Sequence, residues 1–174
     1  MSRFYILKYD NIRIMILLLD NIRSIQNVAT IFRTADAVGI EKIYLCGITP
    51  SPLDEFGRKR QQFTKISLGA EDSVAWEKCK QSYLVLNSLK ISGYKIFAIE
   101  QHKKSIPYFK AVMPKNKKIV FILGHELKGI SGRVLKRVDK ILEIPMFGKK
   151  QSLNVAIAAA IVIFYFAIQN NDTQ

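Results

Sequence analysis

The stretch Val155–Ile168 contains only apolar and aromatic side chains, so it has no polar face to turn toward water. We expect it to form most of a last helix, over residues 152–169. The run is shorter than the roughly 20 residues that span a bilayer, and no membrane segment is expected. A helix that is apolar all round must be buried on most sides. We therefore expect one flank to pack on a sheet and another on a second copy of the chain.

Short apolar runs alternate with longer segments of helical spacing along the chain. Strands are predicted at 14–19, Lys42–Cys46, Lys95–Ile99, 119–123 and 140–144. Helices are predicted at 27–38, 74–91 and 131–138, and the Pro- and Gly-containing stretch 49–65 is predicted to be a loop. The alternation indicates an α/β fold with a mostly parallel sheet flanked by helices. No repeat or linker is present, so residues 1–174 are expected to form one domain with a core of about 14–169.

The net charge of +13 favours a polyanionic partner such as RNA. Lysine enrichment from an AT-rich genome is an alternative source of the same charge. Cys46 and Cys79 form no Cys-x-x-Cys pair, and the chain has only two histidines, so neither a disulfide framework nor a metal site is expected. The cysteines and the absence of a targeting segment predict a cytoplasmic protein.

Asn27 and Arg33 place an amide and a guanidinium six residues apart on a predicted helix. Their Cβ directions on an ideal helix differ by about 120°. They share a site only if Asn27 lies at the helix mouth and Arg33 reaches back. The alternative is a helix cap and a solvated arginine.

The segment 123–129, Leu-Gly-His-Glu-Leu-Lys-Gly, directly follows a predicted buried strand. Its glycines suggest close approach of the backbone to a ligand at the carboxyl end of the sheet, where open α/β folds bind ligands. A tight turn is the alternative. The chain has neither a Walker loop nor the G-x-G-x-x-G of dinucleotide-binding folds, which counts against a nicotinamide enzyme.

The segment 144–155 joins a predicted strand to the apolar helix. Ser152 and Asn154 are polar residues at the mouth of that helix, and Ser152 is a candidate N-cap. Because capping needs only one of the two, Asn154 is expected to serve a ligand or a partner.

Together the three segments resemble the motifs of the SpoU (TrmH-like) branch of the SPOUT RNA methyltransferases. The most specific is Ile-Pro-Met-x-Gly followed by Ser-Leu-Asn-Val before an alanine-rich helix, and the resemblance extends from about Ile14 to that helix. Ala29 stands where the family commonly has glycine. The resemblance implies a single SPOUT domain with a C-terminal deep trefoil knot, which forms a homodimer through the knot and the C-terminal helix.

The resemblance also implies transfer of a methyl group from S-adenosyl-L-methionine to a ribose 2'-hydroxyl of RNA, with tRNA favoured over rRNA. Arg33 is implied as the central catalytic residue, orienting a phosphate and stabilising developing charge, because arginine keeps its proton. The implied supporting residues are Asn27, Glu126, Ser152 and Asn154. The implied cofactor positions are Gly124, Ile144 and Leu153, through backbone groups, together with Met146 and Leu123 in the adenine pocket.

RNA contacts are expected from cations that could equally be ordinary surface charges: Arg58, Lys59, Arg60, Lys103, Lys104, Lys149 and Lys150. A SPOUT base methyltransferase and a non-catalytic RNA-binding relative are the alternative functions. The Asn27 and Arg33 pair and the Ser-Leu-Asn-Val segment favour ribose chemistry over the base enzyme.

Overall fold

The computed structural model describes residues 14–114, 116 and 118–168. Seven strands form one sheet in the order β3-β2-β1-β6-β4-β7-β5, and every pairing is parallel. The strands are β1 (Ile14–Asp20), β2 (Lys42–Cys46), β3 (Ala75–Cys79), β4 (Lys95–Ile99), β5 (Ile106–Pro107), β6 (Lys118–Leu123) and β7 (Lys140–Glu143). The helices are α1 (Ile25–Val38), α2 (Gln61–Ser67), α3 (Ala70–Ser73), α4 (Ser82–Ile91), α5 (Gly132–Leu135) and α6 (Val155–Ile168), with a 3₁₀ turn at Tyr108–Lys110. The predicted parallel α/β fold is confirmed.

The central strands β1 and β6 pair along their length, from Ile14 opposite Lys118 to Leu19 opposite Leu123. Helices cover both faces of these strands, which explains why each is a continuous apolar run. Residues of α1, α2, α3 and α6 pack on one face. Residues of α4 and α5 pack on the other.

Helix α1 begins two residues before its predicted start because Ser24 caps it. The Ser24 hydroxyl accepts a hydrogen bond from the Asn27 backbone N–H at 3.2 Å. Gly39, at a φ of 78°, ends the helix. The cap places Asn27 in the first turn, at the carboxyl edge of the sheet.

The prediction of one helix over 74–91 is wrong, since that stretch forms strand β3 and then α4. Among the described strands, β3 pairs only with β2 at the sheet edge, and most of its side chains are exposed. It therefore lacks the apolar run that marked the central strands. The predicted loop over 49–65 is also wrong from Gln61, where α2 begins so that Phe63 packs edge-on against Phe32, 5.2 Å between ring centroids.

Helix α6 starts at Val155, three residues later than predicted, and Gln169 lies outside the described residues. Its inner side buries Phe166, which contacts the rings of Phe97 and Phe121 in the sheet. Its outer side leaves Ile157, Phe164 and Ile168 exposed by 50%, 40% and 57%. Among the described helices, none combines the length and apolarity that a membrane crossing would require.

Candidate active site

A pocket of about 510 Å³ lies at the carboxyl ends of β4, β6 and β7, against the first turns of α6. Open parallel sheets bind ligands at this edge. The sequence-predicted cofactor positions all line it: Leu123, Gly124, Ile144, Met146 and Leu153. Glu126, Ser152 and Asn154 line it too, so segments 123–129 and 144–155 meet in one cavity.

Close packing within the chain itself requires the two glycines of segment 123–129. A Cβ on Gly124 would lie 2.6 Å from the carbonyl carbon of Gly129 and 2.7 Å from the backbone nitrogen of Ile130. Gly129 has a φ of 64°, and its own Cβ would collide with the Glu100 carboxylate. That carboxylate accepts a hydrogen bond from the Ile130 N–H at 2.8 Å. The absence of side chains at these two positions therefore lets the pocket loop pack closely on itself and against Glu100 at the end of β4.

Side chains from all three sequence segments form a chain of hydrogen bonds beside the pocket. The Asn154 Nδ2 donates to Asn27 Oδ1 at 2.9 Å, and Asn27 Nδ2 donates to Glu126 Oε1 at 3.2 Å. The Glu126 carboxylate also accepts hydrogen bonds from the backbone N–H groups of Arg23 and Ser24, each at 3.1 Å. This network ties the start of α1 to the pocket loop and to the start of α6.

The capping residue of α6 is Asn154, not Ser152 as expected. The Asn154 Oδ1 accepts a hydrogen bond from the Ala156 N–H at 2.8 Å, and its Nδ2 remains available for Asn27. Ser152 is exposed and lines the pocket, and its hydroxyl has no hydrogen-bond partner among the described residues. Ser152, not Asn154, is therefore the polar side chain of this segment that the fold leaves without a hydrogen-bond partner among the described residues.

Glu126 is kept ionised by its hydrogen bonds. Burial raises the pKa of this carboxyl, but the hydrogen bonds from the backbone and from the Asn27 amide outweigh burial and hold the pKa below its usual range. The group is therefore a fixed acceptor at neutral pH and is not poised to exchange a proton.

The pocket lining is acidic although the chain carries a net charge of +13. Among the described residues, Glu100, Glu126 and Glu143 are the acids that line it, and no described Lys or Arg does so. Glu100 and Glu143 were not singled out from the sequence. Their positions at the carboxyl ends of β4 and β7 were the signal that could have found them.

Arg33 is not brought to the pocket by its own chain. It is exposed, it does not line the cavity, and its side chain has no hydrogen bond or ion pair with any described residue. Six residues of helix separate it from Asn27, a rise of about 9 Å along the helix axis. The condition that Arg33 reach back to Asn27 is not met within this chain.

Several cations expected to contact RNA have partners inside the chain. Arg58 pairs with Asp54 at 2.9 Å and Lys59 with Asp72 at 2.6 Å, while Arg60 donates to the Leu53 carbonyl at 3.2 Å. Four others are exposed and have no ion pair with any described residue: Lys103, Lys104, Lys149 and Lys150. Lys149 and Lys150 follow the pocket-lining Met146 by three and four residues.

Within the described ranges, no three His, Cys, Asp or Glu side chains gather as a metal site requires. His125, the histidine at the pocket, accepts a hydrogen bond from the Leu127 N–H at 3.0 Å through its Nδ1. Its ring therefore shapes the pocket loop.

The sheet and the pocket at its carboxyl edge define an open parallel α/β protein with a ligand site formed by three loops. The chain belongs to the SpoU rRNA Methylase family, whose sequence profile matches residues 14–164. This membership confirms the resemblance found in the sequence.

The chain is similar in sequence to proteins that are named as RNA 2'-O-methyltransferases. A tRNA (guanosine(18)-2'-O)-methyltransferase of Aquifex aeolicus is 31% identical over 150 residues, which are 86% of this chain and 67% of the relative. A 23S rRNA (guanosine(2553)-2'-O)-methyltransferase of Bacillus subtilis is 30% identical over 86% of this chain. The chain spans 56% of that second relative, so it covers little more than half of some of the proteins it matches.

Solved structures share the fold. The TrmH/SpoU tRNA modifying enzyme of A. aeolicus matches with a TM-score of 0.79 and 28% identity, over 93% of this chain and 78% of that one. An AdoMet-bound rRNA methyltransferase of Sinorhizobium meliloti matches with a TM-score of 0.80 over 91% of this chain and 57% of that one. At 24% identity, this second likeness is one of fold.

Proposed function

We propose that this chain transfers a methyl group from S-adenosyl-L-methionine to a ribose 2'-hydroxyl of RNA, with tRNA favoured over rRNA. The observation that carries the proposal is the acidic pocket at the carboxyl edge of the sheet, beside the network of Asn27, Glu126 and Asn154. Relatives named for tRNA and for rRNA 2'-O-methylation support the reaction class and leave both substrates in view.

The pocket fits the methyl donor in size and charge. Its volume of about 510 Å³ falls within the range of small-molecule sites. The donor carries a sulfonium and an ammonium group against one carboxylate, and Glu100, Glu126 and Glu143 give the lining the opposite sign. When bound, the donor supplies an electrophilic methyl carbon.

The chain's contribution to the cofactor site would come mainly from backbone and apolar groups. Gly124, Ile144 and Leu153 line the pocket and would bind the donor through main-chain groups, and Leu123 and Met146 would add apolar surface. Ser152 lines the pocket with a hydroxyl that has no partner among the described residues, and it would bind the donor or the ribose.

Arg33 would complete the site from a second subunit. We infer that it orients the RNA phosphate and stabilises the charge that develops as the 2'-hydroxyl loses its proton, because a guanidinium stays protonated and cannot act as the base. Asn27, Glu126 and Asn154 would act as positioning residues, because their mutual hydrogen bonds fix the mouth of α1 against the pocket.

A homodimer would provide that second subunit. The exposed side chains of α6, Ile157, Phe164 and Ile168, are spaced so that they lie along one side of the helix, and such an apolar stripe marks a protein interface. Helix α1, which carries Arg33, packs beside α6. Light scattering tests the dimer, and a stable monomer would contradict it.

The trefoil knot is part of the same proposal. Strands β4 and β6 lie between β7 and β1 in the sheet. The segment from β7 to α6 would pass their carboxyl ends, because Asn154 at its end hydrogen-bonds Asn27, which follows β1 in the chain. This crossing supports a threaded arrangement of segments 124–131 and 144–154.

RNA contacts are expected mainly from Lys149 and Lys150 near the pocket, because Arg58, Lys59 and Arg60 are already engaged within the chain. Both cysteines are free, which fits action in the reducing cytoplasm, where tRNA resides.

The decisive experiment combines methyl incorporation with alkaline hydrolysis. The protein is incubated with labelled S-adenosyl-L-methionine and total RNA from a strain that lacks its gene, and the labelled RNA is hydrolysed in alkali. A 2'-O-methyl group blocks cleavage at its own nucleotide, so the label is expected in alkali-resistant dinucleotides. Label in mononucleotides would show base methylation, and absence of label from every RNA would contradict the proposed reaction.

A further inference from the structure

Tyr83, in the first turn of α4, contacts two arginines in and just after α5, Arg133 and Arg137. The Arg133 guanidinium carbon is 3.5 Å from the centre of the Tyr83 ring, and the Arg137 guanidinium carbon is 5.4 Å from it. The first distance is that of flat stacking, and such contacts orient a guanidinium while leaving its N–H edge free. We call Tyr83, Arg133 and Arg137 the Tyr83 cluster.

Neutral acceptors hold Arg137 in place. Its Nε donates to Asn87 Oδ1 at 3.1 Å, and its Nη1 donates to the Arg133 carbonyl at 2.6 Å. The guanidinium N–H groups of Arg133 have no acceptor among the described residues. The cluster therefore presents unused donors on an arginine whose orientation is already fixed.

The Tyr83 cluster is also uncompensated in charge, unlike other cations of the chain. Lys42 pairs with Glu77, Lys59 with Asp72 and Arg58 with Asp54. Neither arginine of the cluster forms an ion pair within the described part of the chain.

Asp139, the acid nearest to Arg137 in sequence, is committed elsewhere. One of its oxygens faces Lys95 at 3.5 Å, and the other accepts from the Ile96 N–H at 2.8 Å. The cluster thus keeps its full positive charge.

The cluster lies at the same edge of the sheet as the pocket, outside the residues that line it. Arg133 follows the pocket-lining Gly129 by four residues, which is at most about 14 Å of chain. Tyr83 is the second residue of α4, which begins just after the carboxyl end of β3. Because all strands run parallel, the carboxyl ends of β3 and β6 share one edge.

We propose that the Tyr83 cluster binds the phosphate backbone of the RNA whose ribose enters the pocket. The inference rests on the proposed function for the identity of the polyanion. An arginine with a free N–H edge suits a phosphate oxygen pair. Because the cluster is outside the acidic pocket lining, RNA bound to it would keep its backbone away from the cationic methyl donor.

The test compares two pairs of cations of different local charge balance. Arg133→Gln/Arg137→Gln removes the uncompensated pair, and Lys42→Gln/Lys95→Gln removes two lysines that acids already neutralise. Anisotropy with labelled unfractionated tRNA is measured over a series of KCl concentrations. We expect the first variant to bind roughly tenfold more weakly and its log–log salt slope to shrink by about 1 to 2, while the control changes by less than about twofold.

Two further variants separate binding from folding. Arg133→Gln alone removes an exposed ring contact but no hydrogen bond of its side chain to a described residue. Its melting temperature should therefore stay within about 4 °C of wild type, and it should show part of the binding loss. Tyr83→Phe keeps the stacking ring and should bind like wild type, whereas Tyr83→Leu should weaken binding.

The outcomes distinguish this inference from the proposed function. Equal tRNA affinity and salt slope for Arg133→Gln/Arg137→Gln and wild type would overturn the cluster even if methyl transfer is found. Wild-type protein that binds tRNA through the cluster but methylates no RNA would overturn the proposed reaction and leave the cluster standing. Wild-type protein that binds no RNA would overturn both.

Discussion

The side-chain amide of Asn154 donates to Asn27 Oδ1 at 2.9 Å, across 127 residues of sequence. The same Asn154 caps α6 through its Oδ1, and the Asn27 Nδ2 donates in turn to the Glu126 carboxylate. One residue therefore fixes the start of the last helix and the orientation of the first segment's amide. Stability and site geometry can be separated at this position.

Asn154→Ser and Asn154→Ala separate these two roles. Serine is a good N-cap, so Asn154→Ser should keep the free energy of unfolding within about 0.5 kcal/mol, whereas Asn154→Ala should lose about 1 kcal/mol. Neither side chain can donate an amide N–H to Asn27, so both variants should lower kcat for methyl transfer on the order of tenfold. Urea denaturation and single-turnover kinetics measure the two effects. An Asn154→Ser enzyme with the wild-type kcat would contradict the positioning role.

Gly124→Ala should destabilise the fold by about 1 to 3 kcal/mol, because its Cβ would meet the backbone of Gly129 and Ile130, which cannot move as a side-chain tip can. Gly132→Ala is the matched control, since nothing lies within 4 Å of a Cβ there and its φ is not positive. The midpoints of denaturant unfolding for the two variants measure this difference in stability. Equal midpoints for the two variants would show that the pocket loop can shift.

The strands that are buried on both faces were predictable from the sequence, and the edge strands were not. β1 and β6 are continuous apolar runs because helices cover both of their faces. β3 has one neighbour and mostly exposed side chains, so its sequence, Ala-Trp-Glu-Lys-Cys, does not differ from that of an exposed helix. Tertiary pairing with β2 decides its conformation.

The candidate site was predictable as a set of residue types but not as a set of contacts. Both Ser152 and Asn154 are good caps, and only the position of the helix start selects between them. The hydrogen bond from Asn154 to Asn27 depends on the order of strands in the sheet, and local sequence patterns do not predict that order. For Arg33 the motif predicts a catalytic role, but within a single chain Arg33 does not line the pocket.

Glu126→Gln should weaken the fold in a pH-dependent manner. The pKa of Glu126 is lowered in the folded protein, so its ionised form stabilises the fold above the ordinary glutamate pKa, and that stabilisation is lost as the pH falls through the lowered value. At pH 7 the variant should lose about 1 to 2 kcal/mol. The gap from wild type should close in strong acid. Glu55→Gln, at an exposed side chain with no hydrogen bond to a described residue, is the control, and a gap independent of pH would contradict the assignment.

Asp20→Asn should behave in the opposite sense. Burial raises the pKa of Asp20 against the hydrogen bonds of Ser82 and Asn21, so the folded protein disfavours its charge. Its contribution to stability therefore falls as the pH rises from the ordinary aspartate pKa through the raised value. Asparagine keeps hydrogen-bonding capacity without the charge, so the variant should lack this fall and match or exceed wild-type stability at pH 7. A large loss at pH 7 would show that the carboxylate itself is needed.

Subunit complementation tests whether Arg33 acts across a dimer. Arg33→Ala should abolish methyl transfer while leaving S-adenosyl-L-methionine binding near wild type, because Arg33 does not line the pocket. Leu153→Arg places bulk and positive charge at the lining and should abolish cofactor binding by calorimetry. If Arg33 serves the partner's pocket, a mixed dimer has one complete site, formed by the pocket of the first variant and Arg33 of the second. Unfolding and refolding the two inactive proteins together at equal amounts should then restore roughly a quarter of wild-type activity by random pairing. If Arg33 serves its own pocket, every site in the mixture carries a defect and no activity returns.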